Sequence, residues 1–223
     1  MNKRTLCKEL MAEFLGSAFL VMAAISPMIF FTYVLGADKG VALIANALAV
    51  AFVLFALIEI FGPVSGAHFN PVVTMVMLLE KKIHAPKAAM YVLFQFAGGI
   101  MGTVLSHLMF LGEVGGVLFV ADTPRSGHVF FGEIFGTFIL VLAILMLVKA
   151  GSSKIAIIIG LLVGGQIMAT SSTMFANPQV TVARMFAGTS VGIRPADGLA
   201  FVVMQVVGAL VAYGVYRLFF KFH

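Results

Sequence analysis

Charge is what this sequence has least of: Asp, Glu, Lys and Arg together make up 10% of it, against 61% hydrophobic residues and a mean hydropathy of +1.11. That balance excludes a water-exposed surface and places the chain in a bilayer. Cysteine is nearly absent as well. Cys7 is the only one, so no internal disulfide can form, and it reads as an unremarkable residue of the N-terminal tail. The sequence also lacks a metal-ligand cluster, a nucleophile–base pair and a phosphate-binding loop. An enzyme is therefore the least favoured class, with no cofactor and no bound metal expected. The formal charge is +5, but the basic residues form short clusters at the ends of apolar runs without an aromatic platform. Nucleic acid is not the partner this pattern suits; membrane lipid is.

Long apolar runs are what remains. Six stretches, near residues 10–34, 40–61, 87–111, 128–149, 154–173 and 196–219, can each supply the roughly 20 helical residues that cross ~30 Å of hydrocarbon. Two shorter stretches, after Asn70 and after Asn177, offer only ~15 Å of helix and fall short. Met1-Asn2-Lys3-Arg4 before an apolar run is like the start of a secretory signal, but Glu13 interrupts the run and no small-x-small cleavage site ends it. It reads as the first span. Three short connections and both termini place Lys3, Arg4, Lys8, Lys81, Lys82, Lys87, Lys149, Lys154, Arg217 and Lys221 on one side and leave Lys39, Arg125, Arg184 and Arg194 on the other. That asymmetry puts both termini in the cytoplasm of a multi-pass protein of the plasma (cell inner) membrane.

The chain also repeats itself. Asn70-Pro71-Val72-Val73-Thr74 overlies Asn177-Pro178-Gln179-Val180-Thr181 at an offset of 107 positions, Ala12-Glu13-Phe14-Leu15-Gly16-Ser17 resembles Gly132-Glu133-Ile134-Phe135-Gly136-Thr137, and Gln95-Phe96-Ala97-Gly98-Gly99 resembles Gln205-Val206-Val207-Gly208-Ala209. With three spans in each copy, the second copy enters the membrane from the opposite side. The predicted fold is all-α and integral to the membrane: a single channel domain over 1–223, made of inverted repeats of approximately 1–115 and 116–223, with six transmembrane helices and two re-entrant half-helices. Asn70 and Asn177 suit the N-cap, and Pro71 and Pro178 the first helical position, where a missing donor costs nothing. Two half-helices then meet N-terminus to N-terminus at the midplane. Non-helical backbone at that depth survives only when protein-buried or facing a wet cavity, so Ser65-Gly66-Ala67-His68-Phe69 and Ser172-Thr173-Met174-Phe175-Ala176 should turn carbonyls toward a lumen.

Ser65-Gly66-Ala67-His68-Phe69-Asn70-Pro71-Val72-Val73-Thr74 resembles the first signature loop of the aquaporin and glycerol-facilitator (major intrinsic protein) family, whose layout covers essentially the whole chain. The resemblance implies a passive channel for water or small uncharged solutes, assembled as a homotetramer with one pore per subunit. It also implies that Glu13 and Glu133 brace the loops carrying the Asn-Pro pairs, with Gly66, Ala67, His68, Phe175 and Ala176 lining the pore. Independently of the name, Asn70 and Asn177 can aim amide donors at a permeant, and two half-helix dipoles, each worth roughly half a charge at its N-terminus, oppose cations and hydrated protons. Glu13 and Glu133 would be costly in lipid and should face hydrogen-bonding protein. Glu59 and its repeat counterpart Gln166 suggest a bracing or tetramer-contact role. His68 reads as a satisfied hydrogen-bonding residue in preference to a gate.

The departures from the family pattern concern the solute. The second signature normally carries Arg three residues after Asn, and here Val180 stands there. By family spacing the other outer-constriction positions fall on Val50, Gly165 and Met174, all small or apolar. A wide, apolar opening suits neutral polyols, urea, ammonia or undissociated metalloid hydroxides such as arsenous acid better than strict water selectivity. Arg184, four residues past Val180 and so on the same helical face, lines the vestibule in this alignment. In the alternative, Ala183-Arg184-Met185-Phe186 is the family's Ala-Arg-Ser-Phe stretch displaced by one turn, the filter Arg is moved, and the channel is strictly water-selective. A secondary transporter with broken helices or a structural junction protein with a vestigial pore are further alternatives; the former would place a titratable site at the midplane, which the Asn-Pro segments lack.

Overall fold

The computed structural model describes residues 3–220; of the expected cytoplasmic basic residues, Lys221 lies outside them, and the side chain of Lys3 is likewise not described. The fold is all-helical. Helix α1 spans Lys3–Ile29 and runs into a π-helical turn at Phe30–Val34, followed by α2 (Lys39–Ser65), the short α3 (Pro71–Leu79), α4 (Ala85–Met109) and the single turn α5 (Leu111–Val114). The second half comprises α6 (Val129–Lys149), α7 (Ile155–Ala169), the short α8 (Pro178–Arg184) and α9 (Pro195–Phe220).

Local chemistry sets the boundaries. The Asp38 carboxylate accepts from the amides of Gly40 and Val41 at 2.7 and 3.0 Å and starts α2, which ends where Gly66 turns to φ 89°. The side chains of Asn70 and Asn177 accept from the amides of Val72 at 3.0 Å and Gln179 at 3.1 Å, with Pro71 and Pro178 next in line. The same two residue types therefore start both short helices in the same way.

Packing follows the repeat. α1 lies against α4 as α6 lies against α9, while α2 sits between α1 and α7. A Cβ at Gly98 would run into the Phe14 backbone, and one at Gly208 into the Ile134 backbone, so in each half a glycine permits close helix approach. The half-helices cross over, α8 packing on α4 and α3 on α9, which interlocks the halves.

The fifth apolar stretch, 154–173 in the sequence, is helical over only part of its length. α7 has 15 helical residues, about 22 Å at 1.5 Å each, whereas α1, α2, α4, α6 and α9 are long and apolar enough to cross a membrane. Residues 170–176, counted with that span in part, instead leave the helix to form the approach to Asn177. The two chain ends share a face: Lys87 pairs with Glu9 at 2.7 Å, Arg217 lies 3.8 Å from Glu80, and the Lys149 ammonium sits 5.4 Å from the Phe220 ring. Arg125, Arg194 and Asp197 mark the opposite face, where the Arg125 amide and the Arg194 guanidinium both donate to Asp197.

Candidate functional site

Between α2, α6 and α7 on one side and the two loops leading to Asn70 and Asn177 on the other lies a cavity of about 160 Å³. Its lining is of two kinds. Val50, Leu54, Leu140, Ile144, Ile159 and Val163 supply an aliphatic wall, and the loop residues Gly66–Asn70 and Thr173–Asn177 line the cavity as well. The cavity extends from Val148 and Ile155, near the face with the chain ends, to Arg184 and Asn46 toward the other.

The loop part of the lining exists because its backbone is bent in a way that L-residues rarely adopt. φ is 49° at Ala67 and 47° at Phe69, and the repeat-equivalent Met174 and Ala176 have 42° and 47°. Non-glycine residues in that region carry strain that the surroundings must hold. The holding groups are the buried glutamates. Glu13 accepts from the Ser65 hydroxyl (2.6 Å), the amides of His68 (3.0 Å) and Phe69 (2.8 Å), and Gln95 Nε2 (2.8 Å). Glu133 accepts from the amides of Phe175 and Ala176, both at 2.9 Å, and from Gln205 Nε2 at 2.6 Å. The same nitrogen of each glutamine also reaches a threonine, Thr74 at 2.9 Å and Thr181 at 2.8 Å, whose hydroxyl donates to the carbonyl of Asn70 or Asn177. Gln95 and Gln205 were legible in the sequence as a repeated pair without a role; their position between glutamate and half-helix supplies one. Tyr91, unflagged by the sequence, donates to the Ser65 carbonyl at 2.9 Å.

Asn70 and Asn177 face the cavity, but their amides are not wholly free for a permeant. Asn70 Nδ2 donates to the Ala176 carbonyl and Asn177 Nδ2 to the Phe69 carbonyl, each at 2.9 Å, so every cap clasps the loop of the other repeat. One hydrogen of each amide is spent on that clasp and one remains. The Phe69 carbonyl also accepts from Gln179 Nε2 at 3.2 Å. His68 lines the cavity, with Nδ1 3.1 Å from the Thr74 hydroxyl and its ring edge-on to Tyr91.

Of the four outer-constriction positions, Val50, Met174 and Val180 line the cavity and Gly165 does not. Gly165 is exposed on the outer surface of α7, with nothing within 4 Å of a Cβ built there, and Val163 and Ile167 face the lumen in its place. Counting twelve residues back from Asn177 assumed a fixed loop length; at 100° per residue the two-residue error turns the position to the far side of the helix. Arg184 lines the same cavity as Val180, beyond a vestibule role. No turn is inserted in α8: Thr181 makes the bond to Asn177 that Thr74 makes to Asn70, so Val180 matches Val73 without a gap. Arg184 is buried, Nε donates to the Val191 carbonyl at 2.8 Å, and its guanidinium carbon lies 3.9 Å from the Phe175 ring centroid. Arg125 approaches the same ring at 5.9 Å and donates to the Gly192 carbonyl; burial lowers its pKa from the ordinary value. Glu59 is exposed on α2 and makes no hydrogen bond or ion pair among the described residues, so it braces none of them, and Gln166 is half-buried on α7.

A sequence profile described as "Major intrinsic protein" matches residues 1–176, ending just before the second Asn-Pro pair. The chain belongs to the major intrinsic protein family. Within this family it is 37% identical over 218 residues to an aquaglyceroporin of Rhizobium meliloti, covering 97% of this chain and 92% of that protein. Similarity to a glycerol uptake facilitator-like protein of Lactiplantibacillus plantarum is 33% over 62% of each, and to human aquaporin-1 it is 32% over 65% of this chain and 55% of that one. The alignments thus span little more than half the length of these two relatives. The crystal structure of the aquaglyceroporin from Plasmodium falciparum shares the fold, with a TM-score of 0.75 over 95% of both chains at 20% identity.

Proposed function

We propose that this major intrinsic protein is a passive transmembrane channel for water and small uncharged solutes of the glycerol type, with undissociated metalloid hydroxides such as arsenous acid as further candidates, and that it performs no enzymatic reaction. The observation that carries the reading is one cavity lined both by aliphatic residues of α2, α6 and α7 and by the two loops that end in Asn70 and Asn177. A polyol can lay its carbons on the aliphatic residues and exchange hydrogen bonds with the loops. Two half-helix N-termini facing the same point put positive potential there, so neutral solutes pass where cations and protons meet a barrier. In this reading Asn70 and Asn177 orient the permeant at the midplane; Gly66, Ala67, His68, Phe175 and Ala176 line its path; Val50, Met174, Val180 and Ile167 form the apolar part of the outer constriction; and Glu13 and Glu133 hold the loops in shape.

The whole chain, 1–223, acts as one channel domain of two inverted repeats, with both termini in the cytoplasm of the plasma (cell inner) membrane. Glu59 supports a homotetramer, because a carboxylate on the outer face of an apolar helix is costly against lipid and inexpensive against a neighbouring subunit. The test is stopped-flow light scattering on proteoliposomes challenged with water, glycerol, urea and arsenous acid gradients. Faster shrinkage and solute re-entry than in protein-free vesicles, with no dependence on an ion gradient, is the expected result. Uptake that needs an ion gradient would place the protein among secondary transporters.

A further inference from the structure

Asn46 has no part in the constriction derived from family spacing, yet it is a polar side chain that the structure places in the cavity wall. Its Nδ2 donates to the carbonyls of Ala23 at 3.2 Å and Ala24 at 3.0 Å. Both amide hydrogens are thereby used, and the flipped amide would set its oxygen against two carbonyl oxygens, so the orientation is fixed by α1. The oxygen Oδ1 is left as a pure acceptor and takes no bond from any described residue. Arg184 is its complement. With Nε committed to Val191 and the guanidinium plane held on Phe175, its terminal nitrogens bond no described residue and remain pure donors in the same cavity.

The two residues are also displaced alike. Asn46 precedes Val50 by one turn of α2 and Arg184 follows Val180 by one turn of α8, with Val50 and Val180 both lining the lumen. α8 leads away from the Asn70–Asn177 meeting point toward the face of Arg125 and Arg194, and α2 descends toward that point from Asp38. On two separate elements a polar side chain therefore lies one helical turn outward of an apolar residue in the cavity lining.

We propose that Asn46 and Arg184 are the specificity-determining pair of this channel, an acceptor and a donor that together recognise solutes bearing adjacent hydroxyl groups. This rests on the channel reading above and narrows it to polyols. Arg184 donates to one hydroxyl oxygen while a hydroxyl hydrogen is given to Asn46 Oδ1, and the carbon chain then slides past Val50 and Ile167. A small water molecule passes with either contact alone; a polyol entering an apolar turn needs its hydroxyls matched first.

The experiment measures water and glycerol permeability in proteoliposomes for the wild type, Asn46→Leu, Asn46→Val, Arg184→Leu and the Asn46→Leu/Arg184→Leu double variant, each normalised to folded protein. The loss of one neutral hydrogen bond corresponds to about a fivefold fall in the glycerol-to-water ratio for the Asn46 variants. The same substitution should have a much smaller effect once Arg184 is Leu, since the pair acts on one solute. Val, smaller than Leu, covers a failure of the Leu variant to fold. A ratio within twofold of wild type in folded Asn46 variants, or water and glycerol falling in step as a mere α1–α2 tie would produce, overturns the pairing. Wild-type vesicles no more permeable than empty ones would instead overturn the channel reading, and the pairing with it.

Discussion

At the scale of single residues, the outer end of the cavity holds an apolar residue and a charged one on the same helix. Val180 stands where the resemblance leads one to expect Arg, and Arg184 supplies a guanidinium one turn farther along the same face. Val180→Arg should therefore add a second donor fork at the apolar turn and narrow it. Glycerol permeability is expected to fall at least tenfold more than water permeability, a difference of about 1.4 kcal/mol between the two barriers; stopped-flow traces on the purified variant check this, and equal losses for both would show a simple block. Gly165 makes the opposite prediction. Because it looks away from the lumen, Gly165→Ala should leave the ratio unchanged, whereas Ile167→Trp should depress glycerol entry. A change of solute ranking in Gly165→Ala would restore the spacing-based assignment. Val180 lines the cavity, as its position three residues into a half-helix of seven allows, whereas Gly165 does not, because an irregular loop intervenes between α7 and Asn177.

At the scale of elements, the two re-entrant loops are the least self-sufficient parts of the molecule. Each contains positive-φ residues without glycine's freedom, and each is tied to one buried carboxylate and one glutamine. Glu13→Leu or Glu133→Leu leaves two or more buried donors without an acceptor, at ~1–3 kcal/mol per group. The expected outcome is a clear loss of folded, monodisperse protein by size-exclusion chromatography; normal yield with an altered solute ranking would contradict the bracing role. Helix contact is the second element-scale constraint. Gly98→Val forces a side chain into the Phe14 backbone, which cannot relax by changing rotamer, so α1 and α4 must separate. Its thermal unfolding midpoint should drop well below that of Gly62→Val, where a Cβ meets nothing within 4 Å.

At the scale of the whole molecule, interlocking decides both stability and selectivity. Asn70 reaches the Ala176 carbonyl and Asn177 the Phe69 carbonyl, so neither repeat completes its loop lining without the other. That reciprocal clasp fixes where the two half-helix dipoles meet. Planar-bilayer recordings of the wild type should accordingly show no current above the lipid background under conditions where vesicles shrink rapidly in osmotic shock. A selective proton or cation conductance would mean the opposed dipoles do not form the barrier. The exposed apolar outer surface, interrupted by Glu59 on α2, is consistent with further assembly. Native mass spectrometry in detergent is expected to give four copies, with Glu59→Leu altering their dissociation more than the permeability of each pore.

The sequence by itself determined the repeat, the membrane setting, the caps of both half-helices and the carboxylates that serve them. These depend on local rules: an apolar run long enough to span, an Asn-Pro start, and the cost of burying a charge without partners. Only the tertiary structure decided which side of α7 faces the cavity, that one hydrogen of each capping asparagine amide is consumed by the opposite loop, and that Asn46 and Arg184 share a cavity. Those outcomes depend on the rotation of helices about their axes and on loops that set the register between them. No spacing along the chain encodes that rotation, because contacts between residues more than a hundred positions apart, such as Asn70 with Ala176 and Asn177 with Phe69, fix it.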